Sequence, residues 1–134
     1  MSQQIQGIAR QGLDAQFESD EARKSNLILE ARWLAAHGED AAEKFAQAAQ
    51  IEADLARRSA ACDLAEKSFV HQLSAASCWA QAGDFYHAVH LCDNLLAHTD
   101  LPERLRRRVQ EYSAILRQRR HQWYAGVAEM AEAA

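Results

Sequence analysis

The chain has one proline and five glycines in 134 residues. So few breakers leave room for long uninterrupted helices. β-branched residues are scarce and scattered, which argues against a sheet. Three cysteines, Cys62, Cys78 and Cys92, are widely spaced and form no CxxC pair. An odd count without such a pair fits reduced thiols, so a cytoplasmic location is expected. No N-terminal stretch joins a basic start to a long apolar run, so no signal peptide is expected. No window approaches the roughly 20 apolar residues of a membrane span. A P-loop, a Gly-rich dinucleotide turn, an HExxH motif and paired Glu-x-x-His motifs are also missing. No cofactor, no metal and no catalytic activity are therefore expected.

What is abundant is alanine, followed by Leu, Gln, Glu and Arg, all strong helix formers. The expected class is all-α, with about five helices arranged in antiparallel hairpins. Ile5, Ala9, Leu13 and Phe17 share one helical face, which predicts a marginal helix or tail over 1–18. Gly7 and Gly12 weaken it. The helical domain is then expected over 19–128, with fraying over 129–134.

The first strong helix is expected from an N-cap at Ser19 to His37, stopped by Gly38. Leu27, Ala31, Leu34 and Ala35 form one stripe; Leu29, Trp33 and Ala36 form another. Two apolar stripes predict neighbours on two sides. The second helix should start near Glu39–Asp40, use Phe45, Ala48, Ala49 and Leu55, and end softly around 60–62. Asp63-Leu-Ala-Glu66 resembles a capping box that opens the third helix, about 64–82. The fourth is expected over about 84–98. The fifth starts at Asp100-Leu-Pro-Glu103, with proline tolerated in the first turn, and extends toward Trp123, Tyr124 and Val127.

Two hairpins therefore turn at a glycine followed by an acid, at Gly38 and Gly83. They are 45 residues apart, within the range of helical repeats. The stretch Ala75-Ala-Ser-Cys-Trp-Ala-Gln-Ala-Gly-Asp-Phe-Tyr-His-Ala-Val-His-Leu-Cys-Asp-Asn-Leu-Leu resembles a tetratricopeptide repeat. Small Ala76 and aromatic Trp79 precede Gly-Asp-Phe by that family's spacing, and Ala88 follows where the second helix needs a small residue. Residues 20–57 repeat the plan more loosely through Trp33, Gly38, Ala42, Phe45 and Ala49. Their spacing slips by about a residue after Gly38.

The resemblance implies a right-handed TPR-like superhelix or bundle that binds another protein or peptide and has no chemistry of its own. It implies a concave face built from the first helix of each hairpin. By position that face takes Ile28, Arg32 and Ala35 from one unit, and Val70, Leu73, Ser77 and Gln81 from the other. Ile28, Ala35 and Leu73 suit a core better, which leaves Arg32, Ser77 and Gln81 as surface candidates. The Lys/Asn carboxylate clamp is not evident, so a C-terminal-peptide chaperone role is not implied.

Charge is uneven. The net charge is −4, yet Arg104 to Arg120 contains seven arginines against Glu111 alone. That segment is +6 and the remainder −10. Arg104, Arg107 and Arg108 are candidates for docking an acidic protein. The arginines ring the helix rather than stripe it, which disfavours nucleic acid; pairing with the chain's own acidic remainder is an intermediate reading. Trp123 and Tyr124 cannot both face one core, so one is expected to meet a partner or a second copy. His87-x-x-His90-x-Cys92 supplies too few convergent ligands for zinc, and Cys92 lies on the apolar stripe. The expected function is an adaptor or accessory subunit. The alternatives are a self-associating structural subunit and, below it, an enzyme with a pocket between hairpins.

Overall fold

A computed structural model describes residues 13–133 and is all-helical there. Its helices are α1 (Ala15–Ala36), α2 (Ala42–Ala61), α3 (Ala65–Gln81), α4 (Phe85–Leu96) and α5 (Glu103–Ala133). Ile5 and Ala9, and the glycines beside them, lie outside the described residues. Each helix packs on its neighbours in sequence, and α3 also touches α5. No helix among the described residues is long and apolar enough to cross a membrane.

Three turns use one device. At Gly38 (φ 73°), the amide of Glu39 donates to the Leu34 carbonyl and that of Gly38 to Ala35. At Gly83 (φ 87°), Asp84 donates to Trp79 and Gly83 to Ala80. These are Schellman closures, which satisfy the last helical carbonyls and need a left-handed residue. The α2–α3 corner repeats the pattern without glycine: Leu64 donates to Ser59 and Asp63 to Ala60. Asp63 holds φ 60° there. The expected capping box is thus replaced. Asp63 ends α2, while Leu64 occupies the cap of α3 with no side-chain bond. Aspartate is one of the few side-chain-bearing residues that tolerates this backbone.

The first helix begins earlier than its Ser19 signal. Asp14 Oδ1 accepts from the Phe17 amide at 2.9 Å, and Ser19 lies inside α1. The reason is packing: Leu13, just ahead of the cap, and Phe17, in the first turn, are buried with Ile51 and Leu55 of α2, so the helix starts where they dock. Asp84 caps α4 in the same way, accepting from the His87 amide at 3.0 Å. The main core joins α3, α4 and α5 through Phe69, Ala76, Ala88, Cys92, Leu95, Leu105, Val109 and Leu116. Fully buried Ala76 and Ala88 sit in it as the small residues of the α3–α4 hairpin. Trp79 packs half-buried both on this core and on the Ala48–Ala49–Cys78 cluster, bridging the two hairpins.

Among the described residues, no helix packs on the second stripe of α1. Leu29 and Trp33 are exposed, and Trp33 stacks on His37 at 3.9 Å. Among the described residues α1 packs mainly on α2, so only one of its two stripes has a neighbour there. At the other end, α5 runs to Ala133, into the 129–134 segment where fraying is expected.

Candidate functional site

The sequential packing leaves a furrow where α3 and α5 meet only lightly. Leu73 and Ser77 line one wall, one helical turn apart on α3. Arg108, Glu111, Tyr112 and Ile115 line the other, on successive turns of α5. The cleft is about 310 Å³, enough for a large side chain of an incoming segment. Its floor is apolar, since Leu73 and Tyr112 are half-buried against the core. Ile115 at the rim is 45% exposed. Arg108 and Glu111 put one positive and one negative group beside that floor. Burial pushes the Tyr112 phenol above its ordinary range, and its hydrogen bond to Ser77 offsets part of that. Gln81 Nε2 donates back to Ser77 Oγ at 3.2 Å, so Ser77 links Gln81 on its own helix to Tyr112 on the facing wall.

Ser77 and Arg108 therefore come together, from two sequence arguments that had no link. Gln81 is exposed one turn beyond Ser77. Arg32 is exposed on α1 and close enough to Cys78 on α3 to act on its thiol electrostatically. Arg104 is held by Glu66 in an ion pair between α5 and α3. Arg106 donates to the Leu96 carbonyl at 2.9 Å and also to that of His98, capping the end of α4. Arg117 bonds Asp93 at 2.7 Å. Part of the basic run thus closes α5 onto the rest of the chain. Among the described residues, no ion pair engages Arg107, Arg108, Arg119 or Arg120.

Trp123 and Tyr124 stand where α5 leaves the bundle, 5.0 Å apart in an edge-on contact and both exposed. They line a second cleft with Arg120 and with residues 82–86 around the Gly83 turn. His87 stacks on Trp79 at 4.3 Å and pairs with Asp84, and His90 stacks on Tyr86. Cys92 is fully buried beside Ala88 and Leu95, on the stripe where the sequence puts it.

One polar cluster escaped sequence reasoning. Glu52 and His71 are both buried, with Oε1 and Nδ1 2.8 Å apart across the α2–α3 interface. Lys24 of α1 approaches Glu52 at 3.7 Å, and Glu21 lies 3.8 Å from the other ring nitrogen. The ring meets Phe17 edge-on at 5.9 Å. The signal was a carboxylate in step with the apolar stripe, since Glu52 follows Ala48 and Ala49 and precedes Leu55 at helical spacing. Nearby, the Arg58 guanidinium 2.6 Å away holds the Asp20 carboxyl below the usual range, against a desolvation that raises it. This cluster ties α1, α2 and α3 together. Burial, with Glu52 adding to it, pushes the Cys78 thiol up to about 11. Burial, with Asp93 adding, does the same to Cys92, also to about 11.

Compared with known proteins, the chain matches no family model, no curated protein and no solved structure.

Proposed function

We propose that the chain is a TPR-like protein-binding module, an adaptor or accessory subunit with no catalytic activity of its own. The furrow between α3 and α5 is its recognition surface. The observation that carries this is the pairing of an apolar floor, Leu73 and Tyr112, and the rim residue Ile115 with the two opposite charges of Arg108 and Glu111. That combination suits an amphipathic segment of another protein. Its apolar anchor lies on the floor, an acid faces Arg108 and a base faces Glu111. The hairpin plan adds support, with equivalent closures at Gly38 and Gly83 and each helix stacked on the next. We assign the module to the cytoplasm on the strength of its unclustered cysteines.

A displayed random-peptide library panned on the full chain tests the reading. Enriched peptides are expected to share one large apolar residue flanked by an acid. They should lose binding at least about tenfold to Ile115→Glu and to Arg108→Glu. Enrichment indifferent to both substitutions would remove the furrow from the account. A second reading, self-association, is favoured by one separate observation: the exposed Trp123, Tyr124, Val127 and Met130 on α5.

A further inference from the structure

The α5 wall of the furrow belongs to one stripe of that helix. Arg108, Tyr112, Ile115 and Arg119 recur at i, i+4, i+7 and i+11. On an ideal helix at about 100° per residue they share a sector of about 60°. Arg119 is near enough to Tyr112 to act on its phenol electrostatically. The stripe thus reads base, aromatic, aliphatic, base. Both end arginines are exposed, and among the described residues no ion pair engages either. The facing wall, Leu73 and Ser77, brings no charge. Glu111 stands about 40° beyond Ile115, at the stripe's outer edge. There it repels an acid that slips from the ends towards the middle.

The walls also decide the backbone of what binds. Both are helices, whose interior amides and carbonyls are already bonded along the helix. An extended segment would lay its own peptide groups on Leu73 and Tyr112 with no backbone to pair with. A helix arrives with those groups satisfied and offers side chains alone. Given the furrow as the recognition surface, we propose that it takes a helix of a partner protein whose docking stripe reads acid, apolar, apolar, acid at i, i+4, i+7 and i+11. The two acids meet Arg108 and Arg119, about 16 Å apart along α5, and the apolar pair lies over Tyr112 and Ile115. A base beside the stripe meets Glu111.

Spacing separates this from a general attraction of arginine for acid. Among the described residues no ion pair engages Arg107 or Arg120 either. Each lies about 80° off the stripe on an ideal helix, one on either side. They add to the long-range field that salt screens, and they make no contact with a helix lying in the furrow.

Fluorescence anisotropy of the full chain with synthetic peptides of about 20 residues tests it. The first peptide carries Glu, Leu, Leu and Glu at the stated spacing, with alanine, glutamine and lysine elsewhere. It is expected to bind saturably below about 1 mM. Moving its second Glu two residues earlier turns that acid to the far side of the helix and should weaken binding by about fivefold or more. A proline between the two leucines should weaken it by about tenfold. On the protein, Arg119→Glu should cost about fivefold or more, whereas Arg107→Glu and Arg120→Glu should each cost less than about twofold. The chain carrying both Arg108→Glu and Arg119→Glu should prefer a peptide with Lys in place of both Glu. No binding of the first peptide, indifference to the acid spacing or to proline, or equal losses at Arg107 and Arg119 would overturn the proposal. Display-selected peptides that need Arg108 and Ile115 yet tolerate proline would keep the furrow and overturn the helix. Binding indifferent to Ile115→Glu would remove both.

Discussion

Glu52 and His71 meet at 2.8 Å with both side chains withdrawn from solvent, in the seam between α2 and α3. Neither has a bulk-water alternative, and Lys24 leans on the same carboxylate at 3.7 Å. Removing one member leaves the others buried without their partner. Glu52→Ala is expected to destabilise the fold by about 3 kcal/mol. Glu52→Gln, which keeps an acceptor, should cost less. Urea unfolding of the three proteins measures this, and a loss under about 1 kcal/mol for the alanine variant would show the seam to rest on its apolar contacts.

Asp63 and Gly83 do the same job with the same left-handed backbone and different side chains. Both hold positive φ at the end of a helix, but only one lacks a side chain. Asp63→Gly is therefore expected to be neutral to stabilising, by up to about 1 kcal/mol, as relief at left-handed φ offsets the entropy glycine adds to the unfolded chain. Asp63→Val should destabilise by more than about 1 kcal/mol, because a β-branched side chain fits that backbone worst. Thermal unfolding of the pair checks the sign; a valine variant as stable as the parent would mean the corner is not held as described.

Cys78 and Cys92 should be inert in the folded protein. Their thiols are pushed up to about 11 and both are buried, so little thiolate exists at neutral pH and less is reachable. Iodoacetamide treatment followed by peptide mass spectrometry should find both unmodified before denaturation and modified after it. Rapid native labelling of either would contradict the packing of its helix.

Helix number and the glycine turns were legible because they are local. A Gly-acid pair closes a helix through residues within six positions of each other, and the periodicity of α3, α4 and α5 lies in neighbouring turns. The start of α1 was not, since Ser19 is as good a local cap as Asp14. The choice between them is made by Leu13 and Phe17 docking on α2, tens of residues away. Trp33 was misplaced for a related reason. Periodicity marks an apolar side of a helix but not whether another helix arrives there, and among the described residues α1 has a helix on one side only. The furrow was half visible. Ser77 and Arg108 were each singled out, on unrelated grounds, yet only the α3–α5 contact puts them on facing walls. Tyr112 and Ile115 were not singled out, and Glu111 stood only as the one acid among the arginines.

The most direct test of the binding account is an amide chemical-shift map. The protein is labelled with nitrogen-15 and titrated with the strongest peptide from the display selection. The account predicts saturable shifts centred on Leu73, Ser77, Arg108, Glu111, Tyr112 and Ile115, abolished in Arg108→Glu. Shifts centred instead on the exposed Leu29 and Trp33 of α1, or surviving that substitution unchanged, would contradict it.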